Sequence, residues 1–283
     1  MADIKKLEQT ASQIRRDIVR QVHYAASGHP GGSLGCADLF TALFFEVMDH
    51  DPSFNMKAEN EDVFFLSNGH ISPVYYSALA RSGYFPVDEL ATFREIDCRL
   101  QGHPATHEGL PGIRIASGSL GQGPSVAIGL ALSKKLKGDD KQVYCLTGDG
   151  ELQEGQIWEA ALFAPHNKLD NLTLIVDWNG QQIDGSNEDV LSLGDLPAKW
   201  KSFGWNVVEV DGHNMEELVN ALNATKTKRD GVPTCILMKT VMGQGVDFMM
   251  HTHQWHGKAP NEEQTAEAMK QLEETLGDYN YPA

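Results

Sequence analysis

Four short apolar runs, separated by polar segments with helical periodicity, constrain this chain more than any other feature. They are "QVYCLT" (142–147), "NLTLIVDW" (171–178), "WNVVEV" (205–210) and "PTCILMKT" (233–240). Each is too short for a helix, and each is nearly continuously apolar rather than alternating. Strands of this kind are covered on both faces, as in a parallel sheet sandwiched by helices. "DVFFLS" (62–67) is a fifth run of the same type. Apolar residues at three- and four-residue steps predict helices over 4–26, 36–48, 73–82, 124–137, 154–164, 196–203 and 215–225, with another starting at 87 and running to 93. The expected fold class is α/β: three layers, α/β/α, around a mostly parallel sheet. One domain is expected to span 1–283, with 261–283 a C-terminal extension carrying one amphipathic helix. "SGHPGGSLG" (27–35) reads as the stop of the first helix, and "NGQQIDG" (179–185) as a loop. Residues 99–122 show no period and read as a long loop, of the kind that is often functional.

The formal net charge of -16 excludes a nucleic-acid partner, which needs a basic footprint. It says little about small anions, because one site can be positive on an acidic protein. Cys36, Cys98, Cys145 and Cys235 are scattered without a C-x-x-C pair, so neither a disulfide framework nor a cysteine zinc site is expected. A reduced, cytoplasmic setting fits that usage. The N-terminal residues are charged throughout and lack the apolar centre of a signal peptide. No apolar run reaches the length that spans a bilayer, so no membrane partner is expected.

The chemistry begins at "VYCLTGDGELQEGQIWEAA" (143–161), where a buried strand stops at Gly148-Asp149-Gly150 and a helical segment follows. In open parallel sheets, ligands sit beyond the carboxyl ends of the strands. Glycines there let backbone N–H groups approach an anion, and the following helix presents its positive end. An aspartate in that position repels a diphosphate unless a cation stands between them, and Mg²⁺ suits carboxylate, amide and phosphate oxygens. A simpler reading has Asp149 capping the next helix. The second strand favours the cation: "NLTLIVDWNG" brings Asn179 thirty positions after Asp149. One strand–helix–strand unit takes about thirty residues, so both residues are expected at neighbouring strand tips on one edge.

On these residues the chain resembles the thiamine-diphosphate enzymes, whose motif is G-D-G followed, a helix and a strand later, by Asn-Asn. Here that pair is Trp178-Asn179, and the retained second position is the metal-binding one in that family. The resemblance sharpens to the N-terminal half of transketolase. It rests on "SGHPGGSLG", "LSNGH", "GHP", "GSLGQG", "GDGELQEG" and "WHGKAP", which occur in that order between about residues 10 and 260. It implies that the fold is the diphosphate-binding (PP-type) domain of that family. It implies Mg²⁺, or Ca²⁺ or Mn²⁺ in its place, on Asp149, Asn179 and the main-chain oxygen of Gln181. It implies thiamine diphosphate against His70, Gly118, Ser119, Leu120, Gly148, Gly150, Glu154, Asn179, Ile183 and His256. His29, His70, His103 and His256 are implied as catalytic, with His29 and His103 on the sugar oxygens. Glu154 and Glu159 are implied at the contact between two copies.

The cofactor in such enzymes supplies the nucleophile and the electron sink, and the protein moves protons and stabilises an alkoxide. Histidines suit both tasks near neutral pH. Taken singly, a histidine is more often structural, and His23, His50, His166 and His213 carry no functional expectation. "HTHQWH" (251–256) does not match a zinc spacing, and Lys239 reads as a solvated strand-end lysine. The resemblance covers only the diphosphate half. The expected partner is therefore a second subunit carrying the pyrimidine-binding and C-terminal domains, in an α₂β₂ assembly in which this chain also self-associates, acting on sugar phosphates. Alternatives are a deoxyxylulose-phosphate synthase-like enzyme, a 2-oxoacid dehydrogenase E1-like subunit, and, on the weak dinucleotide-like "GSLGQG", a nicotinamide-dependent dehydrogenase.

Overall fold

The computed structural model describes residues 2–281. Five strands form one sheet: β1 (Val63–Leu66), β2 (Val143–Gly148), β3 (Leu172–Trp178), β6 (Asn206–Asp211) and β7 (Thr234–Lys239). Their order is β1-β2-β3-β7-β6 and every pair is parallel. β4 (Gln181–Gln182) and β5 (Gly185–Ser186) make a separate antiparallel hairpin. The helices are α1 (Ile4–Tyr24), α2 (Pro30–Gly35), α3 (Ala37–Ala42), α4 (Ser72–Arg81), α5 (Gln122–Lys137), α6 (Gly155–His166), α7 (Asn187–Leu191), α8 (Leu196–Ser202), α9 (Met215–Thr227) and α10 (Glu262–Gln271).

The apolar runs are continuous because each strand feeds two cores. On β2, Tyr144 and Leu146 enter the core shared with α1, α3, α4 and α9. Val143 and Cys145 enter the other, shared with α5, α6 and α8. β3 and β7 divide in the same way, with Ile175 and Ile236 on one side and Leu174 and Leu237 on the other. Truncating one such side chain to alanine costs about 2–5 kcal/mol. Four cysteines are free. Among the described residues no helix is long and apolar enough to cross a membrane.

Several expectations need correction. Coverage on both faces fails at β6, an edge strand with Val208 and Glu209 exposed. The 27–35 stretch does not only end α1; it builds α2, with Pro30 at the first helical position, where no N–H is needed. Gly31 is required there, since a Cβ would lie 2.6 Å from Met242 Cγ and 2.8 Å from the Trp255 carbonyl oxygen. The expected 36–48 helix is α3 followed by a π-helical turn, Leu43–Val47, that widens the last turn. Residues Val87–Thr92 form a 3₁₀ helix. The 179–185 loop contains the β4–β5 hairpin, and α7 follows it, capped by Ser186, whose Oγ accepts from the Asp189 N–H at 3.1 Å.

Polar residues in the middle of α1, Gln13, Arg15, Arg16 and Asp17, are buried, while Lys5, Lys6, Glu8 and Gln9 stay exposed. After α10, residues 272–281 run back along α1. Arg16 donates to the Leu272 carbonyl at 2.6 Å and to the Asp278 carboxylate at 2.9 and 2.6 Å. The Arg20 guanidinium lies 4.4 Å over the Tyr279 ring. Asp17, fully buried, takes two bonds from Arg81 of α4 at 2.7 and 2.8 Å.

Candidate active site

The carboxyl edge of the sheet gathers the sequence motifs. β2 and β3 are adjacent, and Gly148 lies in register with Asp177. Asp149 is 1% exposed and joins the two strand tips. Its Oδ1 accepts from the Gly150 N–H at 2.7 Å, and its Oδ2 accepts from the Gly180 N–H at 2.6 Å. Burial, and then the charge of Asp177, push its carboxyl up to about 7, although the Gly180 N–H, the Asn187 amide and the Gly150 N–H pull the other way. The capping and the bridging role of Asp149 therefore meet here: it accepts from the first N–H of the following 3₁₀ turn and also reaches across to the β3 loop.

Asn179 is held by its own strand. Its Nδ2 donates to Asp177 Oδ2 at 2.9 Å, and its Oδ1 accepts from the Gln181 N–H at 2.9 Å. Asp177 also accepts from Thr240 Oγ1 and is fully buried by the strands around it. Burial pushes the Asp177 carboxyl up, but its Oδ2 accepts from Asn179 Nδ2, and that bond orients the Asn179 amide. The oxygen end is left on the side of Gln181. A carboxylate, an amide oxygen and a main-chain oxygen are the hard oxygen donors that Mg²⁺, Ca²⁺ or Mn²⁺ takes, and Asp149, Asn179 and Gln181 would supply them. The fit rests on Asp149, whose burial without a cationic partner is unfavourable and would be relieved by a bound cation.

Four histidines converge from four loops. His29 precedes α2, His70 stands in the 3₁₀ turn after β1, His103 lies in the long loop, and His256 follows the Trp255 turn. Ring centroids of His29 lie 5.1 Å from His70, 5.7 Å from His256 and 6.2 Å from His103, and His70 lies 5.0 Å from His256. Burial, followed by the neighbouring charges of His256, Arg94 and His103, lowers His29 to about 4. Burial also lowers His70, His103 and His256, so all four are neutral at pH 7. The buried Nδ1 atoms of His29 and His256 have no hydrogen-bond partner among the described residues. Neutral imidazoles with free nitrogens both donate and accept.

The glycine loop closes against this nest. Gly118 has φ +122° and packs on His103, where a Cβ would lie 2.7 Å from Cδ2. Gly69 packs on Ser117 and Gly118 equally closely, a Cβ there meeting the Gly118 nitrogen at 2.7 Å. Ser119 is exposed and Leu120 half-buried at this rim. Glu154, exposed, starts α6 beside Gly121; Glu159 is exposed on α6; Ile183 is 61% exposed at the hairpin tip.

Three residues at this edge escaped the sequence reading. Asp177 was signalled by a carboxylate ending an otherwise apolar buried strand. Glu151, next to the glycine motif, is buried and accepts from Ser67 Oγ, from Gly121 N–H at 2.6 Å and from Gly148 N–H at 3.1 Å. Nothing in the sequence marked His213, which donates from Nδ1 to Asp38 at 2.9 Å and accepts the Val241 N–H at 2.8 Å, bracing the loop after β7. Lys239 pairs with Glu209 at the surface at 3.0 Å. Among the described residues no group of three or more His, Cys, Asp or Glu side chains is placed to hold a metal ion.

A parallel sheet with a glycine–carboxylate cradle at its carboxyl edge, walled by neutral histidines, defines an α/β domain that binds a diphosphate cofactor. A family model described as "Transketolase, thiamine diphosphate binding domain" matches residues 6–277, and the chain belongs to that family. It is 38% identical over 270 residues to an apulose-4-phosphate transketolase subunit from Actinobacillus succinogenes, covering 95% of this chain and 96% of that one. It is equally identical over 267 residues to the 6-deoxy-6-sulfo-D-fructose transketolase subunit SqwG of a Clostridium species, covering 94% and 96%. Its fold superposes on the transketolase of Campylobacter jejuni with a TM-score of 0.90 at 33% identity. That match takes in 99% of this chain and 45% of the other.

Proposed function

We propose that this chain is the diphosphate-binding subunit of a split transketolase, transferring a two-carbon ketol unit from a ketose phosphate to an aldose phosphate. The observation that carries the reading is the meeting, at one sheet edge, of Asp149 with the Asn179 loop and of four unprotonated histidines with each other. Bound there, thiamine diphosphate would supply the nucleophile and the electron sink. Asp149, Asn179 and the Gln181 main chain would hold Mg²⁺ against the diphosphate. Gly148, Gly150, Gly118, Ser119, Leu120 and Ile183 would shape its seat. His70 and His256 would face the diphosphate, while His29 and His103 would hold the sugar oxygens and exchange protons with them.

Support for a two-chain enzyme comes from the Actinobacillus protein and SqwG, which are also named as subunits and are matched along almost their whole length. In the Campylobacter transketolase the matched part is less than half. Those two relatives are named for different sugars, so the reading extends to ketose donors as a class, sulfonated ones included. Self-association is supported by an apolar strip on α5 and α6. Ile128, Leu132, Ala160 and the 45% exposed Phe163 line it together with Glu159. An α₂β₂ assembly would bury that strip and place Glu154 and Glu159 between the two copies. A cytoplasmic setting accords with four unpaired cysteines, and the pentose phosphate pathway is the natural place for such an activity.

The test is reconstitution. The purified chain alone, with thiamine diphosphate and Mg²⁺, should transfer no ketol unit. Adding a chain that carries the pyrimidine-binding half should restore transfer, and EDTA should abolish it. Full turnover by this chain alone would refute the reading.

A further inference from the structure

Glu151 is 2% exposed, and among the described residues no cationic group pairs with it. Burying a carboxylate without one is unfavourable, and an apolar side chain would cost less. What surrounds it is a set of donors from three separate segments. Oε1 accepts from Ser67 Oγ, at the end of β1, and from the Gly121 N–H of the glycine loop. Oε2 accepts from the Gly148 N–H, at the end of β2. Ser67 Oγ in turn accepts the Gly123 N–H at 3.1 Å, which closes a four-point junction. Capping the short 3₁₀ turn accounts for the Gly148 bond alone. The bonds to Ser67 and Gly121 reach across 84 and 30 positions of sequence.

Each tethered segment carries part of the candidate site. Ser67 stands three residues before His70, Gly121 directly follows Gly118-Ser119-Leu120, and Gly148 directly precedes Asp149. The junction is packed too tightly to re-form around another group: a Cβ on Gly123 would lie 2.4 Å from Ser67 Cβ. We propose that Glu151 is a positioning residue that sets the glycine loop, the His70 turn and the Asp149 turn in one fixed arrangement for the diphosphate cofactor. It touches neither cofactor nor metal; it acts through the three segments it ties. The inference rests on the cofactor reading above.

The substitution Glu151→Gln tests it, because the amide is isosteric but must turn an N–H toward one of the donors. In the reconstituted complex, the affinity for thiamine diphosphate with Mg²⁺, read by calorimetry, should fall roughly 10- to 100-fold, as for other groups that orient a binding shell. The KM for the cofactor should rise in step while kcat at saturating cofactor stays close to wild type. Hydrogen exchange should quicken at the Gly121 and Gly123 amides and stay slow along β2 and β3, which a general loss of stability would not reproduce. Ser67→Ala, which keeps the glutamate, should give a smaller loss in the same direction and decides the matter if the glutamine variant does not fold. Wild-type cofactor affinity in both variants, with Asp149→Asn binding lost, would overturn this inference alone. Wild-type affinity in all three would overturn the cofactor reading itself.

Discussion

Replacing Asp149 by asparagine should make the metal-free chain more stable at alkaline pH while destroying its capacity for metal-assisted cofactor binding. The sign follows from burial. In the folded chain this carboxyl is pushed up to about 7, chiefly by burial and then by Asp177, whereas an ordinary aspartate lies at 3.8. Between those values the folded chain holds a proton that the unfolded chain has released. Stability attributable to the group therefore falls as pH rises from about 4 and reaches its low plateau above about 7. The difference between about 7 and 3.8, at about 1.4 kcal/mol per pH unit, amounts to about 4 kcal/mol. Asparagine does not titrate, so the variant lacks that slope. It loses one of the two acceptor oxygens serving Gly150 and Gly180, which costs about 1–3 kcal/mol. In EDTA at pH 8 the variant should thus be more stable than wild type by about 1–3 kcal/mol, and near pH 4 it should be less stable. Urea unfolding of both proteins across that range, followed by tryptophan fluorescence, reads the difference directly and cancels the titrating groups that do not interact with Asp149. Adding Mg²⁺ and thiamine diphosphate to the reconstituted complex should stabilise wild type by mass action and leave the variant unmoved. A stability difference between the two proteins that stays flat from pH 4 to pH 8 would refute the reasoning.

Two other substitutions address the supports. Asp177→Asn should let the Asn179 amide turn over and weaken Mg²⁺ about 10- to 100-fold, measured by titrating metal into the cofactor-loaded complex. Asp278→Asn should destabilise the fold by about 1–2 kcal/mol in thermal unfolding, because one of the two carboxylate oxygens facing Arg16 becomes an amide NH₂ and the charge pairing is lost. The pH dependence of that contribution has the opposite sign to that of Asp149. Burial works upward on Asp278, but hydrogen bonds from Arg16 and Gln13 and the charges of Arg20 and Arg16 hold it at about 2. Its stabilisation is present above about 4 and is lost as pH falls toward 2, so the gap between wild type and variant should close in acid.

The sheet was legible because burial on both faces forces continuous apolar runs, and the spacing from Asp149 to Asn179 reports one crossover between adjacent strands. The histidine islands were legible only through motif resemblance; their convergence depends on loops of unrelated length that carry no period. What stayed hidden had contradictory local signals. The glycines of 31–35 look like a helix stop, yet Pro30 and tight packing on Met242 keep them helical. Arg16 and Asp17 look like solvated faces of α1, and only the returning tail and Arg81 make them internal. Glu151 reads as a helix-start acid because its partners lie 30 and 84 positions away.

The histidine nest has one more consequence. Rings separated by 5.0 to 6.2 Å resist becoming imidazolium together, because the first added charge repels the second at that distance. Protonation of one ring therefore disfavours protonation of its neighbours, and the rings titrate as a coupled set. Acid titration should register stepwise constants belonging to the group as a whole and to no one ring.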